Sequence, residues 1–397
     1  MSLTGKTIFI IGAGIAGLAV ARAFALRGAR VRVFEQAAVI SEVGAGLQIS
    51  PNGLAVLRAL DLQDALSKIA TKAEAVQLRD YRAGRDVLRI DLTQLPDTQF
   101  YSFVHRADLI DLLATAARDV GVDVQAGVRI DDIKCGTTPS VSIDEQIHGC
   151  DILIGADGLN SVVRHVLNGT VAPFFTHQVA WRALVPADGA ASKQVNVHMG
   201  PGRHLVTYPL RDESLINIVA VEERGDWAEE GWYHQDDPDN LRHAFSNFSN
   251  DIKDLIKKVD VVNLWGLFRH PVAESWHRGH VAILGDAAHP TLPFLAQGAN
   301  MALEDAWVLA ASLDANDEIE HGLAEYQSHR HARVSRVIDA ASKNARNYHL
   351  RFPPLRWAAH TALRLGGSIA PSAPLRRFDW LYGEDVTLID GSGLKRS

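Results

Sequence analysis

Thr7-Ile8-Phe9-Ile10-Ile11-Gly12-Ala13-Gly14-Ile15-Ala16-Gly17 stands near the start of the chain, and Arg30-Val31-Arg32-Val33-Phe34-Glu35 follows it. Thr7–Ile11 is apolar and partly β-branched, as a buried strand should be. Gly12–Gly17 has the spacing G-x-G-x-x-G, and Leu18–Leu26 continues as a helix that Gly28 ends. Arg30–Glu35 alternates as a second strand and closes on an acid 18 residues after Gly17. The three glycines answer different demands. Gly12 allows the tight turn, Gly14 lets backbone approach a pyrophosphate, and Gly17 lets helix and strand pack closely. The pyrophosphate rests on the helix N-terminus, and Glu35 accepts hydrogen bonds from ribose hydroxyls. Strand, loop, helix and acid in this register predict dinucleotide binding. An acid at 35 disfavours a 2′-phosphate, so NAD or FAD fits better than NADP.

A second junction lies far downstream. Gly279–Leu284 reads as a short buried strand, followed by Gly285-Asp286-Ala287-Ala288-His289-Pro290 and Leu295-Ala296-Gln297-Gly298-Ala299-Asn300. Met301–Ala310 has the composition of an amphipathic helix. This order sets the Asp286 carboxylate beside the free N–H groups of a helix start. Its twin is Cys150–Gly158, a buried strand ending in Asp157-Gly158, with Ser161–Arg164 opening the next helix.

Composition sets the bounds. The 397 residues suffice for two domains, and 47% hydrophobic with 22% charged residues is an ordinary globular profile. A net charge of -7 gives no reason to expect nucleic acid, which needs clustered cations. Two cysteines, Cys135 and Cys150, make no disulfide framework and suit a reducing cytoplasm as small buried hydrophobes. The N-terminal apolar run imitates a secretory signal, but glycines interrupt it and Arg22 and Arg27 follow inside the helix. No run of 18 uncharged apolar residues predicts a membrane span.

Between the junctions, Gly44–Gly53 is too rich in glycine for a core element and reads as a surface or ligand-lining loop. Ser50 or Asn52 caps a helix Leu54–Leu60. Residues 74–100 read as strands with turns, and Phe100–Val104 as a further strand before a helix reaching about Ala117. Arg106 falls in the first turn of that helix, where a cation opposes the dipole by roughly 0.3–1 kcal/mol. Either a ligand phosphate or plain solvent accounts for it. Val128–Ile130 reads as a strand piece. From 172 to 275 the pattern alternates, and Val195–Met199, His204–Tyr208 and Leu215–Val219 read as neighbouring antiparallel strands. Period two puts His204, Val206 and Tyr208 on one face. That face either lines a pocket or packs into the sheet. Gly322–Leu350 is helical and dense in cations, with Arg330, Arg333, Arg336, Arg346 and Arg351; His321, His329 and His331 lack the carboxylate or Cys company of a metal site, so a solvated helix face is the reading. Phe378–Gly383 packs back on the domain.

The expected class is α/β: a Rossmann-like nucleotide-binding domain, an inserted and mostly antiparallel β-sheet substrate domain, and a helical C-terminal segment. The nucleotide-binding parts are placed at 1–73, 100–171 and 276–330, the substrate strands at 74–99 and 172–275, and the terminal helices at 331–397.

The three junctions together, with Ala296–Asn300, Glu304-Asp305-Ala306 and Trp380-Leu381-Tyr382-Gly383, resemble the single-component FAD-dependent aromatic hydroxylases of the p-hydroxybenzoate hydroxylase fold group. Within that group the chain is similar to salicylate hydroxylase and its relatives acting on 3-hydroxybenzoate and 6-hydroxynicotinate, over nearly its whole length. The resemblance implies a monooxygenase with FAD as cofactor and NADH or NADPH as a transient reductant; no second G-x-G-x-x-G houses the reductant separately. It implies a small phenolic acid, salicylate or hydroxybenzoate-like, and O2 as reactants, with a flavin hydroperoxide delivering oxygen to the ring. By the same resemblance Glu35 holds the adenosine ribose, Asp286 the ribityl chain, and Gly298 and Ala299 the flavin pyrimidine edge. Arg106 reaches the cofactor, Val128 meets the adenine through its backbone, and Asp157 with Gly158 serves FAD and the nicotinamide. His204 takes or shares the phenol's proton, for which a near-neutral base suits. Tyr208 bonds the phenolate or carboxylate. Gln48, Phe294 and Gln297 stand on the substrate side, and the lack of His at 48 and 294 disfavours hydroxynicotinate. An FAD-dependent epoxidase or dehydrogenase of non-aromatic substrates, and a non-catalytic FAD-binding protein, stay open as alternatives, as do monomer and homodimer.

Overall fold

The computed structural model describes residues 3–40, 46–189, 191–226 and 234–388. A six-stranded sheet holds His277–Arg278, Val281–Ile283, Ile152–Gly155, Thr7–Ile11, Arg30–Glu35 and Asp123–Ala126 in that spatial order. All its pairs are parallel except the outer one between His277–Arg278 and Val281–Ile283. Thr7–Ile11 lies at its centre because its residues can be buried on both faces; Ile8 and Ile10 have no exposure. Each such side chain contributes roughly 1.5–3 kcal/mol of burial. The strand's carboxyl end delivers the chain to Gly12, where the helix Ile15–Ala25 begins.

An eight-stranded sheet runs Gln235–Asp236, Val262–Arg269, Phe174–Pro186, Leu215–Glu223, Arg203–Leu210, Gln194–Gly200, Ala75–Asp80, Asp86–Asp91. Its pairs are antiparallel but for Gln194–Gly200 with Ala75–Asp80. Val195–Met199, His204–Tyr208 and Leu215–Val219 are neighbours, as their alternation predicts. The helices Pro238–Ala244 and Asn250–Lys257 cover one face over Trp181 and Phe245. The other face looks into the molecule. A helical region follows, Gly298–Ala315, Ile319–Tyr348 and Pro353–Ile369 in turn. Parallel sheet, antiparallel-rich sheet and C-terminal helices make this the expected mixed α/β fold.

Four local readings are corrected. Gly46–Ile49 is a strand paired with Ser102–His105, and its helix starts at Pro51 rather than Leu54; Gly44 and Ala45 lie outside the described residues. The glycines that argued against an element make room for tight packing instead. Val128–Ile130 is not a strand: the sheet ends at Ala126, and the Val128 N–H turns back to the Glu35 carbonyl at 2.9 Å. Gly298–Ala315 is not amphipathic. It is buried on nearly every side, Glu304 and Asp305 included, and packs against Ile15–Ala25. Arg330 is 1% exposed, so the cationic face of Ile319–Tyr348 is in part a core face.

Candidate functional site

A cavity of about 1640 Å³ opens between the two sheets. A pocket for one drug-sized ligand measures roughly 300–1,000 Å³, so this space has room for more than one such molecule. Every residue that the sequence offered for the cofactor or the substrate lines it except Gly17. Gly17 has another task. A Cβ there would lie 2.0 Å from the Gly12 carbonyl oxygen, and one on Gly12 would lie 2.4 Å from that of Ala156. A Cβ on Gly14 would meet nothing within 4 Å, which leaves the helix start open to the cavity.

Glu35 closes the glycine loop. Its Oε2 accepts the Ala13 N–H at 2.9 Å and its Oε1 the Ala37 N–H at 2.8 Å. The carboxylate is thereby held at the cavity wall beside Val128. The twin junctions differ in detail. Asp157 accepts Ser161 Oγ–H at 2.5 Å and the Val162 N–H at 2.8 Å, so it ties down its own helix start. Asp286 sits in a short turn, Gly285–Ala287, and its side chain is exposed, but into the cavity. Burial raises the carboxyl above its ordinary range, with His289 and Arg106 pulling the other way. A carboxyl so placed is ready to accept from ligand hydroxyls. The helix start at Gly298 and Ala299 faces the same space, and the first N–H groups of a helix have no partners within it.

The inward face of the antiparallel sheet supplies the other walls: His204, Val206 and Tyr208 with Val195, Val197, Met199, Val219 and Val221. Alternation alone placed the first three together. The Phe294 ring lies 5.8 Å from that of His204. Burial pushes the Tyr208 phenol up to about 12, with Arg182, Gln48 and Asn217 opposing. Gln48 accepts the Tyr101 hydroxyl at 2.7 Å. His204 does not pair with Tyr208; its Nδ1 lies 2.6 Å from His349 Nε2. Burial first, and His349 second, holds its imidazole well below the usual value.

Gln297 lines the cavity but spends its side-chain amide on bonds within the protein. It is 1% exposed, and its amide donates to Ser50 Oγ at 3.0 Å and accepts from Asn52 Nδ2 at 3.1 Å. Asn52 also donates to Glu304 at 2.6 Å, and the Ser50 hydroxyl points at Asn52 rather than capping the helix. These bonds seat the Gly298 helix start against Pro51–Ala59. The last helices close the cavity through Tyr348, Leu363, Phe378 and Tyr382. Arg336 stacks 4.0 Å from the Trp380 ring centroid, which anchors this cover.

Sequence reasoning missed Arg182, His349 and Glu223. Arg182 lines the cavity from Phe174–Pro186, where it alternates with the buried Trp181; that period was the available signal. Desolvation lowers its guanidinium to about 10, still charged at neutral pH. His349 and Glu223 had no local signal. Among the described residues no three His, Cys, Asp or Glu gather as metal ligands, and no helix is long and apolar enough to cross a membrane. Both cysteines are free thiols.

Comparison with known proteins agrees with this geometry. The chain is 34% identical to 3-amino-4-hydroxybenzoate 2-monooxygenase of Streptomyces cremeus, covering 98% of this chain and 97% of that one. It is 32% identical to salicylate hydroxylase of Pseudomonas putida, covering 96% and 93%. Klebsiella pneumoniae HpxO, solved with FAD and uric acid, superposes with a TM-score of 0.80 at 27% identity, covering 92% and 94%. Residues 6–341 match the family described as FAD binding domain. With the glycine loop, the two acid junctions and the covering sheet in one chain, this protein belongs to that family and is an FAD-dependent flavoprotein monooxygenase using NADH or NADPH.

Proposed function

We propose that the protein hydroxylates a phenolic benzoate-type acid, with salicylate, a hydroxybenzoate or an amino-hydroxybenzoate as the ring. The observation that carries this reading is the single cavity that joins the glycine loop and Asp286 to His204 and Tyr208. FAD, reduced by NADH or NADPH, supplies the activation of O2 when bound. The chain's own residues do the rest. Gly12, Gly14 and Gly17 shape the pyrophosphate turn, Glu35 takes the ribose hydroxyls, and Val128 borders the adenine. Asp157 with Gly158, Asp286, Gly298 and Ala299 hold the remaining cofactor edges, and Arg106 lies beside Asp286.

Oxygen transfer to a ring needs an electron-rich ring, so the phenol must shed its proton. His204 takes it, because a neutral buried imidazole beside the substrate can accept. Tyr208 bonds the ring's oxygen substituent. The Arg182 guanidinium lies near both Tyr208 and Arg106, and cationic charge at this end of the cavity favours a substrate carrying a carboxylate. The valine-rich wall excludes water from the reacting face. The two free thiols fit a reducing, cytoplasmic setting.

The test uses the purified holoenzyme with NADH or NADPH and salicylate, 3-hydroxybenzoate or 3-amino-4-hydroxybenzoate in turn. At least one should speed reductant oxidation and gain one oxygen by mass. If none does, the benzoate reading is wrong. In His204→Ala, FAD should stay bound while hydroxylation falls about a hundredfold and peroxide release per reductant rises.

A further inference from the structure

We propose that His349 and Glu223 form a proton relay with His204, which keeps the cavity-facing nitrogen of His204 basic and draws the substrate's phenolic proton one residue away from the ring. The inference rests on the reading of His204 as the proton acceptor.

The relay is built from three elements. His204 stands on Arg203–Leu210, its side chain buried, with Nδ1 2.6 Å from His349 Nε2. His349 ends the long helix Ile319–Tyr348 as its cap, with its side chain 1% exposed. Its Nδ1 lies 2.9 Å from Glu223 Oε1, at the end of the strand Leu215–Glu223. Arg351 donates to the other carboxylate oxygen, from Nε at 2.8 Å and Nη2 at 2.5 Å. The groups facing the two imidazoles are therefore Glu223 and Arg351 at the outer end, and the Tyr348 and Phe294 rings around His204.

The carboxylate gives this chain a direction. An ionised carboxylate only accepts, so His349 must carry its proton on Nδ1. In the resting relay His349 is neutral and has only this one N–H, so its Nε2 is an acceptor and His204 must carry its proton on Nδ1. Nε2 of His204 is then left with a lone pair. Without Glu223 the opposite polarity would be equally available, and it would leave an N–H where a base is needed.

The proton balance follows. The phenol O–H bond breaks and its proton joins His204 Nε2, leaving a phenolate. The Nδ1 proton of His204 crosses to His349 Nε2, and His349 becomes an imidazolium facing Glu223. One negative and one positive charge are created, and nothing is oxidised or reduced. His349, and to a lesser degree Arg351, hold the Glu223 carboxyl at about 2, so it remains the counter-ion and not the final proton carrier. The positive charge comes to rest on a ring whose centroid is 4.9 Å from that of His204. His349 and Glu223 act through His204 and are positioning residues.

The test is nitrogen NMR of holoenzyme labelled with ¹⁵N-histidine, with signals assigned by their loss in His204→Gln and His349→Gln. Both rings should be Nδ1-protonated at neutral pH in the substrate-free enzyme. Glu223→Gln, whose amide donates as well as accepts, should mix the tautomers of both rings. It should also cut coupled hydroxylation of whichever hydroxybenzoate the wild type uses by about tenfold or more, with FAD content unchanged. Glu223→Asp should restore the tautomers. An Nε2–H on His204 in the wild type overturns the relay, as do unchanged tautomers and coupling in Glu223→Gln. Undiminished coupling in His204→Ala would instead overturn the acceptor reading, and the relay with it. The tautomers are read without any substrate, so the two failures are distinguishable.

Discussion

Arg330 Nε meets Asp305 Oδ1 at 2.7 Å, with 1% and 0% of the two side chains exposed. The same guanidinium reaches Glu304 Oε2 at 2.5 Å, and Arg333 reaches Glu304 Oε1 at 2.7 Å. Burial alone would raise both carboxyls; His289 and Arg330 outweigh it and hold Asp305 at about 2, while Arg330 and Arg333 lower Glu304. Asp305 also accepts the Gly285 N–H at 3.0 Å and pairs with His289 Nε2 at 2.5 Å. The ion cluster thus braces the turn that carries Asp286.

Arg330→Met should be strongly destabilising, because it strands buried carboxylates whose partner is gone. A loss of about 3–5 kcal/mol is expected for a buried pair broken from one side. Urea unfolding of the purified variant measures it. A loss below about 1 kcal/mol would mean that the cluster is tolerant of an unpaired charge.

Acid unfolding should carry the mark of Asp305. Its folded-state pKa is depressed, so its contribution is complete above the ordinary carboxylate range and is lost as pH falls towards 2. Wild-type stability should therefore drop between about pH 4 and pH 2, and the slope over that window should be shallower in Asp305→Asn. Equal slopes in the two proteins would show that other carboxylates dominate.

Asp286→Ala should lower the FAD content of the purified protein while leaving it folded, since the side chain opens into the cavity and not into the core. The flavin-to-protein absorbance ratio, with circular dichroism as the check on folding, decides it. Full flavin occupancy would remove Asp286 from the cofactor contacts.

Gly46→Ala should disturb the substrate end selectively. The added Cβ would lie 2.5 Å from Tyr208 Cε2 and 2.8 Å from its hydroxyl, so the phenol must move. Overpacking of this kind costs about 1–3 kcal/mol. The apparent substrate binding constant should rise at least tenfold with FAD content intact. An unchanged constant would show that Tyr208 is not held in place by this contact.

The residues legible in the sequence are those whose role is written in a local period. Thr7–Ile11, the glycine loop and Glu35 declare themselves within one βαβ unit, and strand alternation puts His204 and Tyr208 on one face. Gly46–Ile49 and Gly298–Ala315 were misread because composition reports average burial and not the neighbour a segment meets. The resemblance named the cofactor, but no local pattern could show Gln297 turned into the Ser50–Asn52 bonds.

What the sequence by itself determined is the backbone plan: the first βαβ unit, the succession of parallel and antiparallel regions, and which side chains share a strand face. These follow from hydrogen-bond geometry and side-chain period, both set within a few residues. The tertiary structure alone decided the partners of the buried charges. Asn52 meets Glu304 across 252 positions, His204 meets His349 across 145, and Arg330 joins Glu304 across 26. A buried polar group must find a partner wherever packing brings one, and that choice belongs to the folded core rather than to any stretch of chain.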